Sequence, residues 1–212
     1  MTKKKFKFVT FEGGEGSGKS TVMKLVADKI AENFPDLGIL KTREPGGTDT
    51  AEEIRSVIMK ANPDPTTEAY LFAGARSSHM REKVFPALLS DKLVLCDRWL
   101  DSNIVYQGIV KGIGAVEVSE INRRAITLSG EPIYPNLTIF LDVRPEVGLK
   151  RIEENKRDKN RFDDNDLSFH NAVYEAYHIA FEYCDRAVIV NGERPIEEIV
   201  EDVYNLIVDR VL

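Results

Sequence analysis

Residues 13–20 read Gly13-Gly14-Glu15-Gly16-Ser17-Gly18-Lys19-Ser20, which fits the pattern G-x-x-x-x-G-K-[ST]. The apolar run Phe8–Phe11 precedes this stretch and a helical apolar pattern follows it, so the motif lies in the strand-loop-helix context that it requires. Glycines let successive backbone N–H groups turn inward, and the start of a helix adds the positive end of its dipole. The stretch is therefore predicted to be a P-loop that holds the β-phosphate of a nucleotide.

Individual side chains of this loop have separate predicted tasks. Lys19 supplies a positive charge to the phosphates, and Ser20 can place its hydroxyl on Mg²⁺. Thr21 packs against or caps the following helix. Glu15 is unusual because a carboxylate beside a phosphate site is unfavourable unless it serves another group. Either it accepts a hydrogen bond from a sugar hydroxyl or it points to solvent.

Apolar, β-branched runs alternate with segments of helical spacing along the chain, which is typical of a parallel α/β sheet. The predicted strands are Phe6–Phe11, Ile39–Thr42, Leu93–Cys96, Leu137–Val143 and Ala187–Val190. The predicted helices are Ser20–Phe34, Ala51–Met59, Thr67–Leu89, Pro145–Glu154, Leu167–Tyr183 and Pro195–Val211. We expect one α/β domain that spans residues 1–212.

The composition narrows the class of protein. With 212 residues, of which 42% are hydrophobic and 30% charged, the chain can bury one substantial core. A net charge of −6 argues against broad binding to nucleic acid or anionic membranes, and no apolar run approaches the roughly 18 residues that cross a bilayer. Cys96 and Cys184 lack metal-ligand spacing. We expect a cytoplasmic protein with small-molecule partners.

The segment from Glu153 to Asp166 is almost wholly charged or polar and cannot bury much apolar surface. Such a charge run is commonly a solvated loop. The alternative is a mobile lid that closes over phosphates.

Further polar residues follow other predicted strands. Asp97 and Arg98 end a buried-type strand, at the edge where ligands collect in open α/β sheets. Asp97 can order Mg²⁺ and its waters, and Arg98 can bridge phosphates, although the two could also form a structural ion pair. Phe72 and Arg76 lie four residues apart on one helix face, which suits a planar base, or equally a core ring and a surface cation.

Taken together, these motifs resemble those of bacterial thymidylate kinases, and the resemblance runs through nearly the whole chain. The residues that carry it, besides the P-loop with Phe11-Glu12-Gly13, are Thr42-Arg43-Glu44-Pro45-Gly46-Gly47-Thr48, Asp97-Arg98, Tyr106-Gln107-Gly108, Lys111-Gly112-Ile113-Gly114, Tyr134-Pro135-Asn136-Leu137-Thr138 and Leu141-Asp142-Val143-Arg144-Pro145-Glu146. The P-loop alone names only a superfamily, whereas the Arg-Glu-Pro-Gly-Gly-Thr and Tyr-Gln-Gly stretches are specific to this family.

The resemblance implies ATP-dependent phosphorylation of dTMP to dTDP, in the synthesis of dTTP, by a nucleoside monophosphate kinase that uses Mg²⁺. It also implies a homodimer and a three-layer fold with a five-stranded parallel sheet in the order 2-3-1-4-5. The implied ATP-binding residues are Gly13, Gly14, Glu15, Gly16, Ser17, Gly18, Lys19, Ser20 and Thr21, and Ser20 and Asp97 are the implied metal ligands.

Around the acceptor nucleotide, the resemblance implies contacts to the sugar and the phosphate. Glu15 matches the acid that binds the deoxyribose 3′-hydroxyl. Arg55 and Arg98 match arginines on the acceptor phosphate, and Arg43 lies nearby in the sequence. Pro45 matches a proline that a cis peptide commonly precedes.

Other implied contacts are to the base. Phe72 matches the ring that stacks on thymine, while Arg76 and Gln107 match donors and acceptors at the base edge. Tyr106 matches the aromatic side chain that crowds the ribose C2 atom and disfavours a 2′-hydroxyl. Two residues depart from the family pattern. Trp99 stands where the family has a Tyr or His, and Asn103 stands where it has the Ser or Thr that approaches the base. Asn103 can still donate and accept hydrogen bonds, so we expect thymine binding, with looser selection against dUMP.

Members of this family carry the arginine that bridges the two sets of phosphates either in the P-loop or in the lid. This P-loop has none, whereas the region around the polar segment offers Arg151, Arg157 and Arg161. The resemblance favours Arg157 and Arg161. The implied catalytic set is Lys19, Asp97, Arg98, Arg157 and Arg161.

Two other interpretations share the P-loop. Another nucleoside monophosphate kinase would differ in its acceptor. A P-loop switch or partition protein would hydrolyse nucleotide to change partners, but Arg55 and Phe72 would have no task in it.

Overall fold

The computed structural model describes residues 6–155, 161–162 and 165–212. Five parallel strands form its main sheet: β1 (Lys7–Glu12), β2 (Ile39–Arg43), β3 (Leu93–Asp97), β6 (Leu137–Asp142) and β7 (Ala187–Asn191). A short antiparallel pair, β4 (Thr127–Leu128) and β5 (Glu131–Pro132), lies outside it. The main sheet has the order β2-β3-β1-β6-β7. Counted over these five strands alone, this is the predicted order 2-3-1-4-5.

Helices flank the sheet, and the ends of the six predicted helical segments agree with the structure to within two residues. They are α1 (Lys19–Asn33), α2 (Asp49–Ala61), α3 (Pro65–His79), α4 (Phe85–Leu89), α5 (Leu100–Asn103), α6 (Ala115–Asn122), α7 (Pro145–Glu154), α8 (Leu167–Phe181) and α9 (Ile196–Arg210). None of the helices in the described ranges combines the length and apolar character needed to cross a bilayer.

Two parts of the chain differ from the predicted elements. The predicted helix 67–89 is continuous, but a π-helical turn, Met80–Val84, joins α3 to α4. A second π-helical segment, Ile104–Val110, continues α5, and it was not predicted, nor was α6. Three glycines within ten residues of the chain, Gly108, Gly112 and Gly114, interrupt the apolar spacing there and hide the helical pattern.

The core lies on both faces of the sheet. On one face, α1 and α9 pack their apolar sides against β1, β3 and β6, with Ile30, Val203 and Ile207 fully buried. On the other face, Phe8 and Trp99 pack edge to face at 5.5 Å between ring centroids. Trp99, one of the two residues that depart from the family pattern, is 1% exposed and packs in this core.

Ile207 on α9 is fully buried, whereas the apolar residue Val116 is largely exposed. Shortening the two side chains should therefore change the free energy of unfolding by different amounts. Ile207→Ala removes buried methyl groups and leaves a cavity, so we expect the free energy of unfolding to fall by about 2–5 kcal/mol. The matched control is Val116→Ala, because Val116 is 78% exposed, and it should change stability by less than about 0.5 kcal/mol. Urea denaturation of the three proteins measures both values. Equal losses for the two variants would contradict this assignment of the core.

Candidate active site

The carboxyl ends of three neighbouring strands bring the predicted residues to one edge of the sheet. The backbone N–H of Arg98 donates to the carbonyl of Phe11 at 2.9 Å, and that of Glu44 donates to the carbonyl of Asp97 at 3.0 Å. These bonds tie together the segments that follow β1, β2 and β3. A cavity of about 610 Å³ opens at this edge.

Most of the predicted site residues line this one cavity, whereas Gly13 and Gly14 lie behind its surface. The predicted residues in the lining are Glu15, Gly16, Ser17, Gly18, Lys19, Ser20, Thr21, Arg43, Pro45, Arg55, Phe72, Arg76, Asp97, Arg98, Asn103, Tyr106 and Gln107. Sequence positions nearly a hundred residues apart therefore meet in one concave site.

The P-loop passes tightly over α7. Gly16 has a φ of 70°, and a Cβ atom added there would lie 2.0 Å from the carbonyl oxygen of Gly148. Glycine is therefore required at position 16 both by its conformation and by this close approach. Gly148 is equally constrained, since its own Cβ would lie 2.3 Å from the carbonyl of Glu15.

Lys19 is folded back over the loop that precedes it. Its ammonium donates to the carbonyls of Gly13 at 3.1 Å and Gly14 at 2.8 Å, and to the Ser17 hydroxyl at 3.1 Å. The pKa of Lys19 is lowered from 10.5 to about 8, first by burial and then by repulsion from Arg98. A negatively charged ligand in the cavity would favour the protonated form of Lys19.

Ser20 and Asp97 lie side by side at the end of β3. The Ser20 hydroxyl donates to Asp97 Oδ2, and both residues line the cavity. A hydroxyl and a carboxylate are hard oxygen ligands of the kind that Mg²⁺ takes from proteins, together with phosphate oxygens and water.

Arg98 is the most heavily bonded cation of the site. It has a φ of 65°, in the left-handed region that non-glycine residues rarely adopt. Its guanidinium donates to Glu15 at 2.6 Å, to the carbonyl of Gly13 at 2.9 Å and to the Tyr177 hydroxyl at 3.1 Å. The strained backbone and these bonds aim the side chain across the cavity, between the P-loop and α8.

Beneath Arg98 lies a buried carboxylate, Glu12, which sequence reasoning did not assign to the site. Glu12 accepts hydrogen bonds from the backbone N–H of Trp99 at 2.7 Å, the Ser102 hydroxyl at 2.5 Å and the Tyr177 hydroxyl at 3.0 Å. Burial, followed by the negative charge of Asp101, raises the pKa of Glu12 from 4.5 to about 7. Ser102 and Tyr177 were missed too, and their only sequence signal is the proximity of Ser102 to the Asp97-Arg98 pair.

The predicted acceptor residues form the opposite wall. The Glu44–Pro45 peptide is cis, as the resemblance implied, and Arg55 donates to the carbonyl of Pro45 at 3.1 Å. Burial, followed by repulsion from Arg43, lowers the pKa of Arg55. An anion placed between these two arginines would relieve their repulsion.

A half-buried ring and a set of buried polar groups complete this wall. Phe72 lines the cavity with its neighbour Arg76, and the Arg76 guanidinium donates to Glu44 at 2.7 Å, with both side chains buried. The Tyr106 ring lies 5.4 Å from the Arg98 guanidinium. The flat ring of Phe72 beside hydrogen-bonding groups can hold a planar heterocycle by stacking.

The predicted lid arginines have different outcomes. Arg157 lies outside the described residues. Arg161 is not part of the cavity lining; it donates instead to the carbonyl of Ile58 at 2.7 Å and to Glu68. The reason is electrostatic, since the Glu68 side chain is completely buried and attracts a cation. Arg151, which sequence reasoning named but did not favour, does line the cavity.

None of the three histidines, His79, His170 and His178, lines the cavity. His79 is fully buried and bonded to Thr42 at 2.7 Å and to Glu44 at 2.8 Å.

This chain is similar to known proteins over nearly its whole length. A family model described as thymidylate kinase matches residues 11–203. A thymidylate kinase of Staphylococcus haemolyticus is 47% identical over 204 residues, which cover 95% of this chain and 97% of that protein. A thymidylate kinase of Bacillus cereus is 44% identical over 210 residues, covering 97% of this chain and 98% of that protein.

Among solved structures, the crystal structure of thymidylate kinase from Ehrlichia chaffeensis is similar to this one with a TM-score of 0.73. The two chains are 29% identical, and the match covers 94% of this chain and 97% of the other. The similarity therefore extends over the sheet, the flanking helices and the cavity edge.

The raised pKa of Glu12 predicts a pH dependence of stability. Since the folded protein holds this proton more tightly than the unfolded chain, the stabilisation is complete below pH 4.5 and is lost as the pH rises through about 7. Relative to Glu12→Gln, wild-type protein should lose about 3 kcal/mol of unfolding free energy over that range. Urea denaturation of both proteins at several pH values measures this difference. A difference that stays constant with pH would refute the assignment.

Proposed function

Since this chain belongs to the thymidylate kinase family, we propose that it transfers the γ-phosphoryl group of ATP to dTMP, giving dTDP and ADP, in the synthesis of dTTP. It is a nucleoside monophosphate kinase. The observation that supports this most strongly is the single cavity that joins the P-loop to Phe72, Arg55 and Arg98. A site for a single nucleotide would need no such second wall.

In the proposed mechanism, ATP occupies the P-loop side. Backbone N–H groups of residues 13–20 and the start of α1 bind the β-phosphate, and Lys19 releases the loop carbonyls and turns to the phosphates. A bound Mg²⁺ would neutralise negative charge on the phosphates of ATP. Ser20 and Asp97 would hold this ion or its waters, consistent with their adjacent oxygens. Thr21 belongs to the same side, at the rim of the cavity.

The acceptor dTMP occupies the other wall. Phe72 stacks on thymine, Arg76, Asn103 and Gln107 face its edge, and Glu15 accepts a hydrogen bond from the 3′-hydroxyl. The phosphate lies between Arg55 and Arg98, with Arg43 and Pro45 beside it. This placement is supported by the mutual repulsion of Arg55 and Arg43, which a phosphate would remove.

Chemically, an oxygen of the dTMP phosphate attacks the γ-phosphorus of ATP, and the bond from that phosphorus to the β–γ bridging oxygen breaks as ADP leaves. No covalent enzyme intermediate is needed, because positioning and charge stabilisation carry this type of reaction. Arg98 lies between the P-loop and α8, through its bonds to Gly13, Glu15 and Tyr177. It is therefore suited to stabilise the charge on the transferring group. Arg157 and Arg161 stay predictions as lid arginines, as do the homodimer and the cytoplasmic location.

A panel of nucleoside monophosphates tests the proposed function. With ATP and Mg²⁺, we expect the highest kcat/KM with dTMP, detectable activity with dUMP because of Asn103, and little with AMP, GMP, CMP or UMP. A coupled ADP assay measures these rates. ATP hydrolysis that no monophosphate accelerates would refute the proposal and favour a P-loop switch.

Lys19→Ala tests the phosphate side of the mechanism. We expect kcat to fall by roughly 10²-fold or more, because a charge that stabilises the transferring phosphoryl is removed. Lys24→Ala is the matched control, since Lys24 is exposed on the same helix. Retained activity in the Lys19 variant, with normal folding, would remove this lysine from the mechanism.

Tyr106→Ala tests the selection for deoxyribose. Removal of the ring opens space beside the C2 atom, so the rate with UMP relative to dTMP should rise by roughly tenfold. Tyr70→Ala, at an exposed position of α3, should leave that ratio unchanged. The hypothesis fails if both variants keep the wild-type ratio in steady-state kinetics.

A further inference from the structure

Glu68, in the first turn of α3, is a buried carboxylate that lies outside the lining of the cavity. Its side chain is 0% exposed, yet three donors reach it. Gln107 and Lys111 donate to Glu68 Oε2, each at 2.6 Å, and Arg161 donates to Oε1. One carboxylate thus holds an amide of the cavity wall and two cations.

This carboxylate fixes the direction of a row of amides. An ionised carboxylate only accepts hydrogen bonds, so the NH₂ end of Gln107 must face Glu68. The Gln107 oxygen then accepts from Asn103 Nδ2 at 2.8 Å, which leaves the Asn103 oxygen to accept from Asn122 at 2.8 Å and from Arg76 at 3.4 Å. Glu68 therefore fixes the Gln107 end of this row, while Arg76, which can only donate, fixes the Asn103 end.

A second buried carboxylate closes the other end of the row. Arg76 donates through Nε to Glu44 at 2.7 Å, and the other Glu44 oxygen bonds His79 at 2.8 Å. Arg76, Asn103 and Gln107 all line the cavity beside Phe72. A flip of one amide would reverse a donor and an acceptor on this wall and would leave a neighbour unmatched.

The same carboxylate also supports the cavity wall made by Phe162. Arg161 is held between Glu68 and the carbonyl of Ile58, and its guanidinium lies 4.8 Å from the Phe162 ring centroid. The Phe162 ring packs edge to face on Tyr106 at 5.7 Å and lines the cavity.

We infer that Glu68 is a positioning residue that sets the hydrogen-bonding pattern presented to the acceptor base, through the fixed amide of Gln107. This inference rests on the proposed function. The base selected is one with a carbonyl oxygen, as in dTMP, over one with an amino group at the same position, as in dCMP. Glu68 itself does not line the cavity and acts only through its neighbours.

Two variants separate this role from a general structural one. Glu68→Met removes both acceptor oxygens, so the NH₂ end of Gln107 loses the partner that holds it and only Asn103 still restrains this amide. Glu68→Asp keeps the negative charge that faces Lys111 and Arg161, which protects the fold, but it withdraws the carboxylate by one methylene. Lys111→Met is the matched control, because it removes a cation from Glu68 and leaves the bond to Gln107.

Isothermal titration calorimetry with dTMP, dCMP and ATP measures the effect without turnover. For Glu68→Met, the dissociation constant of dTMP should rise roughly tenfold and the dCMP/dTMP ratio of dissociation constants should fall roughly tenfold, because the wall no longer favours a carbonyl. Glu68→Asp should change the ratio in the same direction by at least about threefold. ATP binding in both variants, and all three ligands in the control, should stay within about twofold of wild type.

Unchanged ratios in both Glu68 variants would overturn the inference, and so would an equal weakening of ATP and dTMP binding. If wild-type protein phosphorylates dTMP while the variants keep the wild-type ratio, only the role of Glu68 is refuted. If wild-type protein binds no dTMP, the proposed function fails, and the inference fails with it.

Discussion

The site is organised by two cations, Lys19 and Arg98, that lie close enough to repel each other at one edge of the sheet. Burial and the charge of Arg98 lower the pKa of Lys19, and nearby acids offset the repulsion. Arg98 is bonded to Glu15 at 2.6 Å. Asp97, the residue before Arg98, ends β3. Lys19 and Arg98 each donate hydrogen bonds to oxygen atoms of the protein. Phosphate oxygens can replace these acceptors when a nucleotide binds.

The parallel sheet creates this arrangement, and much of it could be predicted from local patterns. The strand before the P-loop, the strand that ends at Asp97 and the helix of Phe72 each carry a short-range signal. Since parallel strands place their carboxyl ends at one edge, these signals also predict which loops meet. The family resemblance, rather than the patterns, supplied the strand order and the role of each side chain in substrate binding.

The parts that sequence did not reveal depend on contacts between distant residues. Tyr177, on α8, bonds Glu12 from 165 positions away, and no local pattern in that helix marks it. The π-helical segment Ile104–Val110 turns Tyr106 and Gln107 toward the cavity, but Gly108 within it and two glycines that follow it conceal the helical spacing. Arg161, which stays a prediction as a lid arginine, is bonded to the buried carboxylate of Glu68 on α3, and no local pattern indicates this pair. Such pairings are decided by burial, which a sequence does not display.

The central claim is that one cavity binds two nucleotides, whose phosphates meet beside Lys19 and Arg98. A crystal structure of the protein with dTMP and a non-hydrolysable ATP analogue tests it most directly. We expect thymine on Phe72, the analogue in the P-loop, and an oxygen of the dTMP phosphate in line with the γ-phosphorus. Thymidine phosphate bound on another face, or a side chain that separates the two phosphate groups, would contradict it.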